Sequence, residues 1–221
     1  MNEIYVISCF ATFVIVFIQA FIVVGKSGKT ELARSWFLAS VAIGLVSWGL
    51  WGMVISQDPG QSLFFRYVLD VGLIFLPVLF FRFITALVEV KEKYNKLLNI
   101  FYGVAGGLLL LNFVPYARKQ ILSLEHSFDY WPSLSPIYIL LLVFLVTGFV
   151  WAFYVALSRY DQVAGVVKTQ VKYIVFAGSI GLLGGLTNFW PFIVNFFPWG
   201  NLFLAASTIV IGYALVKYPL P

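Results

Sequence analysis

The stretch SLFFRYVLDVGLIFLPVLFFRFITALV, residues 62–88, decides the fold. It is apolar over the length of a membrane helix, yet it carries Arg66, Asp70, Pro77 and Arg82. A carboxylate about two turns inside hydrocarbon costs roughly 2.5 kcal/mol or more, so it marks either a pairing scheme or a binding site. Asp70 is the one acid placed so deep in an apolar run. Arg66 precedes it by one turn and Pro77 follows it by two, so all three share a helix face that has to point into a bundle.

The rest of the chain supplies that bundle. Of 221 residues, 62% are hydrophobic, 19% aromatic and only 10% charged, too little polar surface for a water-soluble globule of this size. A membrane helix takes about 20 apolar residues. Seven such runs are marked, roughly 4–24, 35–56, 63–87, 97–115, 137–158, 173–194 and 202–217. The expected fold is therefore an all-α seven-helix membrane bundle, one domain over residues 1–221. The first run has no basic flank at Met1–Glu3 and no small-residue cleavage site before Lys26, so it reads as a retained helix rather than a signal peptide.

The net charge of +5 is topological. With an odd number of spans, Lys26, Lys29, Arg34, Arg82, Lys91, Lys93, Lys96, Arg159, Lys168, Lys172 and Lys217 fall on one side, 11 of the 14 basic residues, while Arg66, Arg118 and Lys119 fall on the other. The positive-inside rule then puts the N-terminus outside and the C-terminus in the cytoplasm.

Several residues stand out inside the runs. Gln19 is the strongly polar residue of the first and is expected to hydrogen-bond a neighbouring helix. Cys9, the single cysteine, reads as a small buried hydrophobe. In the second run Trp48 and Trp51 lie one turn apart near the outer end, as belt residues or as a cavity wall. Pro77 favours a kink. Gly103 and Gly107 have GxxxG spacing, expected to serve packing within the bundle, and Asn112 sits near the outer end of that run. The outer loop, 116–136, holds His126 among Glu125, Asp129, Tyr130 and Trp131. One histidine makes no metal site unaided, and the loop reads as an exposed segment at the interface, with a ligand lid as the other reading.

The sixth run steps through Ala177, Gly181 and Gly185 and then presents Thr187, Asn188 and Trp190 in its outer third, level with Asp70, Trp48, Trp51 and Asn112. Aromatic and amide groups around one acid suit a small pocket, with Asp70, Arg66, Trp48, Trp51, Asn112, Thr187, Asn188 and Trp190 as its candidate ligand-binding residues. The other reading of the same groups is a polar network that locks helices together.

The segment Lys168-Thr169-Gln170-Val171-Lys172-Tyr173, the step Gly184-Gly185-x-x-Asn188, the turn Pro198-x-Gly200-Asn201 and the ending from Tyr213 to Leu220 resemble, in order and spacing, the N-terminal seven-helix sensor region of bacterial histidine kinases. Trp48-Gly49 is similar too. The resemblance covers nearly the whole chain and is firmest from Lys168 onward. It implies a bacterial cytoplasmic-membrane sensor that passes its signal through the last helix to a cytoplasmic kinase or other output domain outside this chain, as a homodimer. Pro77, Gly185 and Lys217 are the candidate transmission residues, the ligand being a small hydrophobic or amphipathic molecule, a lipid or a membrane-associated signal. No phosphoacceptor histidine segment or nucleotide motif is present, so the segment itself is not expected to be an enzyme.

Other classes are argued down. A retinal protein needs a late-helix lysine, and 202–216 contains none. Haem and di-metal sites need several histidines or carboxylates, and a hydrolase needs a nucleophile with its base. No cofactor, metal or nucleic-acid partner is expected. A small proton-coupled transporter using Asp70, Arg66 and Pro77 is the alternative.

Overall fold

A computed structural model of the chain describes residues 2–28, 30–113, 121–124, 128–132, 136–163, 165–188 and 199–218. Every apolar run forms a helix: α1 (Asn2–Ser27), α2 (Glu31–Ile55), α3 (Pro59–Leu87), α4 (Lys91–Asn112), α5 (Pro136–Arg159), α6 (Gly165–Leu186) and α7 (Gly200–Lys217). Six of the seven are long and apolar enough to cross a membrane. The exception is α4, whose first turns hold Lys91, Glu92, Lys93, Asn95 and Lys96. Its apolar part, Leu97 to Leu111, is only about 22 Å long at 1.5 Å per residue. The chain is thus a multi-pass helical membrane protein.

Local chemistry fixes the helix starts. Thr30 caps α2, its hydroxyl accepting from Ala33 N at 3.2 Å, and Asp58 caps α3 by accepting from Gln61 N at 2.9 Å, with Pro59 in the first helical turn. Helix α6 departs from the expected 173–194: it begins at Gly165 and ends at Leu186, with a tighter turn over Thr187 and Asn188. Hydropathy marks the buried part of a helix, and here the polar turn through Lys168 and Gln170 is helical as well.

The long segment between α4 and α5 also differs from the loop expected there. Strands β1 (Ile121–Leu124) and β2 (Phe128–Pro132) form an antiparallel hairpin with Ile121 opposite Pro132 and Leu124 opposite Phe128, beside α2 and α3. Pairing satisfies backbone groups that would otherwise face the edge of a bilayer. His126 and Glu125 lie outside the described residues.

Helix α3 is the centre of the bundle, packed against α2, α4 and α5, while α1 bridges α2 and α7, and α7 packs on α6. The tightest seam is α2 against α3. A Cβ on Gly49 would come within 2.6 Å of Leu69 N, and one on Gly72 within 2.7 Å of Ala42 O. Pro77 is buried within an unbroken helical α3, where its ring packs onto Gly148 of α5. Gly181 sits against Ser207, closing α6 onto α7. By contrast Gly103 and Gly107 are exposed with nothing near them, so the GxxxG of α4 points outward rather than into the bundle. The seam between α5 and α6 is sparse, with Phe153 meeting Gly178. Large apolar side chains on α1, α4, α5 and α6, among them Phe21, Leu110, Val143 and Leu183, are exposed and form a lipid-facing surface.

At the end of the bundle where the chain finishes, Glu31 pairs with Lys91 and lies 3.7 Å from Arg82 Nη2, tying the start of α2 to α3 and α4. Glu89 makes the turn between α3 and α4 with a φ of 54°, a left-handed conformation uncommon outside glycine.

Candidate functional site

The α3 helix spacing brings Arg66 and Asp70 together as the sequence suggests. Arg66 Nε donates to Asp70 Oδ1 at 3.1 Å, with the two side chains only 2% and 1% exposed. The guanidinium also lies over the ring of Tyr138, the third residue of α5, at 4.2 Å from its centroid. Such stacking contributes up to about 2 kcal/mol when desolvated. One guanidinium nitrogen, Nη1, has no hydrogen-bond partner among the described residues.

A second polar group lies at the same end of the bundle, where the chain begins. Asn201, in the first turn of α7, is fully buried. Its Nδ2 donates to Cys9 Sγ at 2.8 Å, its Oδ1 accepts from Ser47 at 3.3 Å, and its backbone carbonyl accepts from Thr12 at 2.9 Å. Tyr5 borders Cys9 and Asn201 and faces Tyr138. The two clusters therefore form one polar layer across α1, α2, α3, α5 and α7. Cys9 is buried as expected, but as the acceptor of a hydrogen bond rather than as a plain hydrophobe.

Below this layer a cavity runs between α2, α3, α5, α6 and α7, leaving about 60 Å³ of room for the centres of water-sized groups. Tyr138 and Asn188 stand at its polar end, Leu73, Leu145 and Ser207 along it, and Trp36, Phe80 and Phe149 toward the other end. Among the described residues, none of its lining side chains is charged. Asn188 is 9% exposed and packs against Gly200, and its Oδ1 has no hydrogen-bond partner among the described residues. Gly185 opens onto the cavity: a Cβ there meets only Leu204, at 3.9 Å. Trp36 is held from behind, its Nε1 donating at 3.0 Å to Gln19 Oε1, while Gln19 Nε2 donates to Ser40 at 3.1 Å. Gln19 thus joins α1 to α2, the interhelical role expected of it.

The sequence-derived candidates divide. Asn188 and Gly185 line the cavity. Arg66 and Asp70 do not; they frame its polar end through Tyr138. Trp48 and Trp51 are not part of the cavity: Trp48 packs between Phe13 and Phe65, and Trp51 against Phe10, on the seam with α1. Successive positions one turn apart share a face of their own helix, but in α2 that face meets α1. Asn112 is 2% exposed at the end of α4, with neither amide atom hydrogen-bonded among the described residues, and lies outside the cavity. Thr187 turns its hydroxyl back onto Gly184 O at 2.6 Å. Trp190 lies outside the described residues. Lys217 is exposed at the end of α7, its Nζ donating to Tyr213 Oη at 2.5 Å. Nearby, Gln170 of α6 is fully buried and donates to the carbonyl of Tyr218 at 2.5 Å. Sequence reasoning missed Tyr5, Tyr138 and Asn201 as site residues. Asn201 carried a signal, as an amide immediately before an apolar run.

The class these features define is a polytopic helical membrane protein with a largely apolar cavity between five of its helices, bordered at one end by a buried polar layer. No family model matches the chain, and no curated protein matches it.

Proposed function

We propose that the chain is a transmembrane sensory domain whose central cavity takes a small hydrophobic or amphipathic ligand and whose α6–α7 pair carries the change to the end of α7. The observation that carries the reading is the cavity itself: five helices wall it, and one of them, α6 with the turn that follows it, contributes both Gly185 and Asn188 to its lining and Gln170 to the contact with Tyr218. Apolar walls with a few polar anchors are the usual form of a small-molecule site. The resemblance to the seven-helix sensor region of bacterial histidine kinases supports the same reading. So does the charge bias, which favours an N-terminus outside and a C-terminus on the cytoplasmic side, where a signalling output would act. All seven helices span in this reading, α4 by thinning the local bilayer or snorkelling its lysines.

Proton-coupled transport by Arg66 and Asp70 is the second reading, favoured by their burial. It needs polar groups continuing through the bundle, and past Ser207 the cavity lining is aliphatic and aromatic except for Trp36, whose N–H is taken by Gln19.

The test is native mass spectrometry of the purified chain beside Gly185→Leu, followed by hydrogen exchange at 168–173 and 213–218. A bound mass lost in the variant, with protection at those segments changing on binding, supports the sensor. A bound species that leaves both segments unchanged, together with proton flux abolished by Asp70→Asn, supports transport instead.

A further inference from the structure

We infer that the cavity is built for an uncharged, single-chain amphiphile of roughly ten to fourteen carbons, its polar end at Asn188 and Tyr138 and its tail directed toward Trp36; this rests on the ligand-binding reading above. Three observations carry it. The first is cross-section. Along α6 and the turn that follows it the lining runs from Gly178 to Asn188, eleven residues, which is about 15 Å end to end. About 60 Å³ of centre space over that length makes a narrow groove, with room for one extended alkyl chain and little more. Carbon–carbon bonds of about 1.5 Å in zigzag cover 15 Å with roughly a dozen carbons.

The second observation is polarity along the axis. The polar groups gather at one end, where Asn188 keeps a carboxamide atom that is buried and unpartnered. An unpartnered buried amide is costly, and a ligand hydroxyl or amide removes that cost whichever way the carboxamide is turned, because such groups both donate and accept. The other end is aromatic and aliphatic, with Trp36, Phe80 and Phe149 offering no free hydrogen-bonding group. The third is charge. No charged side chain among the described residues lines the cavity, and the pair beside it, Arg66 with Asp70, is internally neutralised, so an ionic headgroup gains no counter-ion there to offset its desolvation.

The experiment uses the full chain in lipid nanodiscs, so that no alkyl detergent competes. Probes are 12-bromododecan-1-ol, its 1-bromododecane, carboxylate and trimethylammonium counterparts, and bromoalkanols of eight and sixteen carbons. The readout is the saturable part of tryptophan quenching, which a tail at Trp36 produces. The expected result is saturable quenching by the twelve-carbon alkanol, at least tenfold weaker binding of either ionic probe, severalfold weaker binding of the eight- and sixteen-carbon chains, and about fivefold weaker alkanol binding in Asn188→Leu with the bromoalkane unchanged. Gly185→Leu, and Ile43→Phe from the opposite wall, abolish the saturable part, with circular dichroism and size exclusion reporting that each is folded; Gly103→Leu, on the outward face of α4, serves as the control. Tighter binding of the carboxylate overturns the uncharged class by recruiting Arg66. Equal affinity for all chain lengths, or quenching untouched by both blocking variants, overturns the single-chain site. If these probes fail while native mass spectrometry shows a different bound mass lost in Gly185→Leu, the ligand class falls and the sensor reading stands. If the alkanol binds and the segments 168–173 and 213–218 do not respond, the sensor reading falls and the ligand class stands.

Discussion

Replacing Asp70 by asparagine separates a lock from a loose neighbour of the cavity. In the native bundle the carboxylate lies 3.1 Å from Arg66 Nε with both side chains almost fully buried. At that distance the charges attract by about 5 kcal/mol at an effective dielectric constant near 20. Asparagine keeps an acceptor for the guanidinium, worth about 1.5–3 kcal/mol for a hydrogen bond to a charged group. The stacking of Arg66 on Tyr138 also survives the substitution. The expected loss is therefore about 3 kcal/mol, at the low end of the 3–5 kcal/mol that follows breaking a buried pair. Asp70→Leu, which keeps no acceptor, costs about 5 kcal/mol. Arg66→Met is comparably damaging, because it leaves a carboxylate buried without its cation. The double variant Arg66→Met/Asp70→Leu removes both charges and costs no more than either single variant, about 5 kcal/mol, which gives a coupling energy of about 5 kcal/mol, the size of the lost attraction. The assay is reversible unfolding in mixed micelles of rising dodecyl sulfate fraction, followed by circular dichroism, with all four corners of the cycle. Losses that add to within about 0.5 kcal/mol refute the lock, since uncoupled sites behave that way. A cost below about 1 kcal/mol for Asp70→Asn does the same.

Other substitutions probe the remaining seams. Gln19→Leu removes two interhelical hydrogen bonds, to Ser40 and Trp36, and at about 0.6 kcal/mol each in membrane bundles should lower stability by about 1.2 kcal/mol in the same unfolding assay. Gly49→Val places side-chain carbon against the Leu69 backbone and should prevent a folded bundle from accumulating, whereas Gly103→Val and Gly107→Val meet nothing within the chain and should leave the monomer's unfolding midpoint unchanged. Size-exclusion profiles and unfolding curves of the three read this directly. Gln170→Ala cuts the tie to Tyr218, so limited proteolysis near the end of α7 should accelerate severalfold while global unfolding moves by no more than about 1 kcal/mol.

How far these features were legible in the sequence follows from what each depends on. The seven helices are written in hydropathy, which is local, and the Arg66–Asp70 pair in an i, i+4 spacing, which is local as well. Gln19 announced itself because an amide mid-span has to find a partner. The meeting of Asn201 with Cys9 and Thr12 spans about 190 residues of chain and depends on α7 returning to α1, which no periodicity encodes. Tyr5 and Tyr138 lie near helix ends, where tyrosine is ordinarily interfacial, so their burial was hidden by the usual behaviour of their type. For Trp48 and Trp51 the spacing correctly grouped them on one face, but which neighbour that face meets is a property of the bundle. The outward GxxxG of α4 illustrates the same limit: the spacing permits close approach and leaves open from which side it comes.

The energetics of the bundle also constrain how a ligand acts on it. An alkyl chain drawn from water into the cavity gains about 0.8 kcal/mol per methylene, but one already dissolved in the bilayer gains almost none of this, because lipid and cavity are equally apolar. What remains for a membrane-resident ligand is the hydrogen bond at Asn188, about 1 kcal/mol, and the filling of space that the α5–α6 seam leaves open. Converting a 1:99 equilibrium to 99:1 takes about 5.5 kcal/mol of differential affinity. A lipid-borne amphiphile therefore shifts this bundle by a few-fold rather than switching it outright, and only insofar as it binds the two states differently. Such a graded shift has a structural route. The α6–α7 seam is tight at Gly181 and Ser207, so widening the sparse α5–α6 seam moves α6 and α7 as a unit and displaces Gln170 and Tyr218 together. Gly181→Ala presses a methyl group into Ser207 and should loosen that unit. In the sensor reading it weakens the exchange response at 213–218 while leaving alkanol binding intact, and an undiminished response in a folded Gly181→Ala protein argues against transmission through α6.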